Sequence, residues 1–106
     1  MIKITVLRNA DHKTTGLLIT GHAEFASHGR DIVCAAVSAL AQSVILSLLE
    51  HVQAKIDFNV KSGHLNLILQ DPPTELTEAV FSVALLGFRE IKNGNPKNVT
   101  ILNSRG

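Results

Sequence analysis

Lys55-Ile56-Asp57-Phe58-Asn59-Val60-Lys61-Ser62-Gly63-His64-Leu65-Asn66-Leu67-Ile68-Leu69 sets the fold class of this chain. Ile56, Phe58 and Val60 alternate with Lys55, Asp57, Asn59 and Lys61, the two-residue period of a strand with one apolar face. Ser62-Gly63 is a short turn signal, and Leu65, Leu67 and Leu69 carry the alternation onto a partner strand. Two strands joined this closely pair antiparallel, as a hairpin.

Outward from the hairpin, the pattern changes period on both sides. Downstream, Asp71-Pro72-Pro73-Thr74 stops the strand and starts a helix, with Glu75 and Glu78 near its positive end. Leu76, Ala79, Val80, Val83 and Gly87 lie along one stripe of that helix, Asn93-Gly94 ends it, and Val99 and Ile101 mark a last short strand. Upstream, a helix is expected from about Asp31 to His51, and Gly21 to Arg30 reads as a loop. Ile2, Ile4 and Val6 share a face of a first strand, Asn9 to Lys13 is a polar loop, and a second strand spans about Thr15 to Gly21 with Leu17 and Ile19 on one face. The order β-β-α-β-β-α-β with hairpins implies an α+β domain over residues 1–106, a mostly antiparallel sheet of four to five strands packed with two helices. The first helix is apolar on more than one face, so the second helix or another subunit must cover it. A homodimer is the expectation.

Composition narrows the function classes. The chain has 106 residues, 45% of them hydrophobic, which rules out disorder by low hydrophobicity. The net charge is +1, there is no run of Lys or Arg, and four Phe stand without Tyr or Trp, so nucleic acid is a poor ligand. A single cysteine forms no intramolecular disulfide, and the N-terminus alternates like a strand rather than a signal peptide. A cytoplasmic location is the default. Ile32 to Leu49 carries no charge and is long enough to span a bilayer. Ser38, Gln42, Ser43 and Ser47 interrupt it, however, and it reads as a buried helix with no membrane partner.

The chemistry concentrates in Gly21-His22-Ala23-Glu24-Phe25-Ala26-Ser27-His28-Gly29-Arg30-Asp31-Ile32-Val33-Cys34-Ala35-Ala36-Val37-Ser38. A helix starting near Asp31 puts Cys34 in its first turn, where free N–H groups and the dipole favour a thiolate. His22 ends the preceding strand, and the glycine-containing loop can return its imidazole to the thiol as a base. Helical spacing sets Asp31, Cys34 and Ser38 on one face. Each residue also has a plainer role. A lone cysteine among Ile, Val and Ala is most often inert packing, Asp31 is an ordinary N-cap, and Ser38 can bond to its own backbone. His22, His28, Asp31 and Cys34 could also supply four metal ligands, though at no familiar zinc spacing. No metal or other cofactor is expected.

Gly21-His22-Ala23 followed by Gly29-Arg30-Asp31-Ile32-Val33-Cys34-Ala35-Ala36-Val37-Ser38 resembles the ribosomal-processing cysteine proteases called Prp. That family's pattern is Gly-His-Ala, a short loop, then Gly-x-Asp-(Ile/Val)-Val-Cys-Ala-(Ala/Gly)-Val-Ser. The resemblance implies a cysteine endopeptidase with a His22–Cys34 dyad acting through a thioester, with Asp31 and Ser38 in supporting positions. It implies a mobile loop, Ala23 to Arg30, that covers the bound peptide. It also implies a substrate, the N-terminal extension of a large-subunit ribosomal protein, with aromatic residues before the cut and a small residue after it, and it implies a dimer. Two positions depart from the pattern: Glu24 stands where a small residue is common, and Asn replaces aromatics around Asn95 to Asn98. The rival reading is a non-catalytic ribosome-associated binding protein of the same fold.

Overall fold

Ile2, Ile4 and Val6 are buried on one face of β1 (Ile2–Arg8), and Leu17 and Ile19 extend that face on β2 (Thr14–Thr20). In the computed structural model of the chain, residues 1–21 and 28–106 are described, the side chains of 28–31 excepted. β3 (Ile56–Lys61) and β4 (His64–Leu69) form the expected hairpin, with Lys61 opposite His64 across the Ser62-Gly63 turn. Gly63 takes a positive φ of 73°, which costs a glycine nothing. β5 (Val99–Arg105) closes a five-stranded sheet of order β3-β4-β2-β1-β5. Every neighbouring pair is antiparallel except β1 and β5, which run parallel. The α+β architecture is as expected, with the sheet mixed only at that pair.

Both helices lie on the face that carries Ile4, Val6, Leu17, Leu65 and Leu67. The core helix α1 (His28–Leu46) continues as a π-helical turn, Ser47–Val52, and ends where Gln53 turns left-handed at φ 58°. Ile32–Val52 is apolar and long enough to cross a membrane. Within that stretch Val33, Val37, Ala41, Val44, Ile45 and Leu48 are buried in the core, at the spacing of one helix face. This is how a core helix of an α+β domain reads, as the sequence suggested. Its second apolar face meets the other helix, α2 (Glu75–Gly94). There Gly87 faces Leu40 so closely that a Cβ would stand 2.7 Å from the Leu40 Cδ1.

α2 begins at a reciprocal cap. The Thr74 hydroxyl accepts from the Thr77 N–H at 3.2 Å, and the Thr77 hydroxyl accepts from the Thr74 N–H at 2.8 Å. Glu78 then accepts from the Thr14 N–H at 2.6 Å, tying the start of α2 to the start of β2. Thr74→Ala removes one half of the cap and is expected to cost about 1 kcal/mol, or roughly 4–8 °C in Tm, in a thermal melt.

Three boundaries and one helix face differ from the sequence reading. α1 starts at His28 rather than Asp31, because Gly29 disfavours a helix by only about 1 kcal/mol against Ala and does not forbid it. β2 starts at Thr14, one residue early. β5 runs through polar Asn103, Ser104 and Arg105 because the parallel ladder with β1 is made by the backbone, from Ile2 opposite Val99 to Arg8 opposite Arg105. The buried stripe of α2 is Thr77, Phe81, Ala84 and Phe88, one position round from Leu76 and Val83, which are exposed.

Candidate active site

Four pieces of chain meet in a cleft of about 430 Å³ at one end of the sheet, one of them Ile2 at the start of β1. α1 contributes Cys34, Ser38 and Gln42, the end of β2 contributes Gly21, and the β3–β4 hairpin contributes Val60 through Leu65. Cys34, Ser38 and Gln42 recur every four residues, so a single strip of α1 looks into the cleft.

Gly21 is placed by backbone chemistry. Its N–H donates to the Gly63 carbonyl at 3.0 Å, which joins the end of β2 to the hairpin turn. Its φ is 82°, and a Cβ there would run into the Met1 carbonyl oxygen, so both conformation and space call for glycine. The residue that leads into His22 therefore stands in the wall of the Cys34 cleft. His22 itself, and Ala23 through Ser27, lie outside the described residues.

Cys34 is half-buried and packs against the core cluster, with its rim toward the cleft. Since α1 starts at His28, Cys34 is its seventh residue and falls in the second turn, not the first. The N–H groups of α1 that lack an intrahelical acceptor include those of His28, Gly29 and Arg30. Any oxyanion donor at the helix start comes from those residues rather than from Cys34. Asp31 is likewise within the first turn, so the N-cap place expected for it is not its own. The side chains of His28, Gly29, Arg30 and Asp31 lie outside the description.

Ser38 is exposed, and its hydroxyl accepts from Gln42 Nε2 at 2.8 Å. Gln42 was not singled out from the sequence, although it follows Ser38 at the same spacing by which Ser38 follows Cys34. The hairpin wall was not foreseen either, because Val60 and Leu65 are distant in sequence from Cys34. Of the four residues a metal site would need, Cys34 is the one whose side chain is described. Among the described residues no three of His, Cys, Asp and Glu come together.

The chain is similar over residues 1–100 to the family model for the cysteine protease Prp. It is 34% identical to the ribosomal processing cysteine protease Prp of Mycoplasma genitalium, over 95% of this chain and 94% of that one. With the same-named protein of Staphylococcus aureus strain Mu50 the identity is 23%, over 95% and 97% of the two chains. The fold matches the crystal structure of the Staphylococcus aureus Prp in complex with a substrate peptide at a TM-score of 0.90. That match has 22% identity and covers 98% of this chain and 100% of the other.

Proposed function

We propose, from the premise that the chain belongs to the Prp family of cysteine proteases, that it removes the N-terminal extension of a large-subunit ribosomal protein by a His22–Cys34 dyad. The observation that carries the reading is the shared cleft. Cys34 occupies one wall, and Gly21, the residue before His22, occupies another. His22 follows that wall residue directly in the chain, and this reading assigns it as the base for the thiol.

The reaction is acyl transfer. His22 accepts the proton of the Cys34 thiol, and the thiolate sulfur adds to the scissile carbonyl carbon. The tetrahedral intermediate collapses as the C–N bond breaks and His22 returns the proton to the leaving amine. Water, deprotonated by His22, then hydrolyses the thioester and frees the acid product and the thiol. Ser38, bonded to Gln42, braces the strip of helix below the thiol, and Asp31, three residues before Cys34 in the chain, is the second supporting residue of this reading. The covering loop expected over Ala23 to Arg30 lies outside the described residues up to Ser27, and His28 to Arg30 belong to α1. The reaction as written needs no metal or cofactor.

The enzyme acts in the cytoplasm as a homodimer. The dimer is supported by the apolar groove between the helices, lined by Leu40, Val44, Val80 and Val83, beside the exposed Leu76 and Leu86. The functional test is incubation with a synthetic peptide carrying two aromatic residues followed by Ala-Ser. A single cut after the second aromatic, located by mass spectrometry, is expected. An intact peptide after prolonged incubation would contradict the assignment and favour a binding protein of the same fold.

A further inference from the structure

We infer that the peptide substrate binds as an added strand along the outer edge of β3, with Phe58 and Val60 as the apolar floor beneath it. The inference rests on the peptidase reading above and deepens it, by saying how the substrate backbone is held.

β3 is the edge strand nearest the cleft, and among the described residues nothing pairs with its outer side. The direction of its backbone groups follows from the hairpin. In an antiparallel pair, residues alternate between bonding across the ladder and pointing away from it. The Gln70 N–H donates to the Lys55 carbonyl at 2.9 Å, so Lys55 faces β4. Asp57, Asn59 and Lys61 share that phase, while Ile56, Phe58 and Val60 turn their N–H and C=O groups outward. Those outward groups are the donors and acceptors that β-augmentation uses.

The side chains agree with the backbone. Phe58 and Val60 lie opposite Leu67 and Leu65, hence on the face that carries the helices. Leu67 and Leu65 are buried there, but Phe58 is 47% and Val60 46% exposed, because α1 does not reach the edge. Val60 and Lys61 also line the cleft that holds Cys34, so the apolar shelf and the reacting centre are continuous. From Ile56 to Val60 the edge is about 13 Å long, room for four extended residues on one side of the scissile bond. Lys55, Asp57 and Lys61 fall on the opposite sheet face, so the apolar shelf lies on one side of the strand only. The substrate class is therefore an extended peptide with apolar side chains at alternate positions.

Two measurements test this with the full chain. Binding of a labelled peptide (two aromatics followed by Ala-Ser) to Cys34→Ala protein is read by fluorescence anisotropy, without turnover. N-methylation of the peptide, one residue at a time, is expected to weaken binding about three- to tenfold at alternate positions and leave intervening ones unchanged. In the active enzyme, Phe58→Ala and Val60→Thr are expected to raise KM about tenfold with kcat and melting temperature unchanged. Uniform sensitivity to N-methylation, or an unaltered KM in both variants, overturns the inference. A shift in the dimerisation constant in place of KM also overturns it and assigns the edge to a second copy. If wild type leaves the peptide uncut yet alternation persists in binding, the strand docking stands and the proposed cleavage falls.

Discussion

Cys34→Ala protein is expected to lose cleavage of the diaromatic-Ala-Ser peptide by at least about a thousandfold, with its thermal melt nearly unchanged. The size of the loss follows from the chemistry, since no acyl-enzyme forms without the sulfur and positioning by the cleft alone accelerates hydrolysis far less. The small effect on stability follows from burial. Cys34 is half-buried at the cleft rim, so losing one sulfur atom opens the side chain to solvent rather than leaving a closed cavity. Cys34→Ser should be almost as inactive, because a serine hydroxyl is a much weaker nucleophile than a thiolate. Rates followed by chromatography, beside melts of the same preparations, check both halves of the expectation.

Phe81→Ala should do the reverse, destabilising the fold by about 3–5 kcal/mol. Phe81 is fully buried at the centre of the α2 stripe, where it packs in the core cluster with the helix-facing side of the sheet. Truncation there removes a ring's worth of buried apolar area and leaves a cavity that the sheet backbone cannot close. For a domain of this size the melting temperature is expected to fall by about 12 °C or more. Phe58→Ala on the exposed shelf should barely move it, since that ring is half in solvent. Urea or thermal unfolding of the two variants side by side therefore separates a core phenylalanine from a binding one.

The two phenylalanines also show what sequence could and could not convey. The hairpin was legible because Ile56, Phe58 and Val60 alternate with charged and amide residues, and period two has one structural meaning. Which members of that apolar face are covered was not legible, since it depends on how far α1 reaches across the sheet. On α2, two apolar stripes a residue apart competed. Leu76 and Val83 were as persuasive as Phe81 and Phe88 until the sheet chose between them. The parallel pairing of β1 with β5 joins residues nearly the whole chain apart, and no local period encodes it.

In the candidate site, spacing put Cys34 and Ser38 on one helix face, and they line one cleft. Spacing alone left inert packing the favoured role for Cys34, and only the run around it pointed to a nucleophile. The start of α1 was misplaced by three residues, which moved Cys34 from the first helical turn to the second. In the second turn Cys34 lies past the helix-end N–H groups, and its proposed activation rests on His22. Gly21, the last described residue before the candidate histidine, is held in the cleft wall by the fold. Its positive φ and its contact with Met1 are tertiary facts, visible in sequence only as one glycine before a histidine.

The account's central claim is that Cys34 carries the acyl group, and the chain's single cysteine makes that claim directly measurable. Enzyme mixed with excess peptide, quenched in acid within the first turnover and weighed intact, should gain the mass of the acyl half of the substrate less one water. Proteolytic mapping should place the adduct on the Cys34 tryptic fragment, and hydroxylamine should remove it as it removes thioesters. Full cleavage activity with an unmodified Cys34 throughout the first turnover would contradict the account.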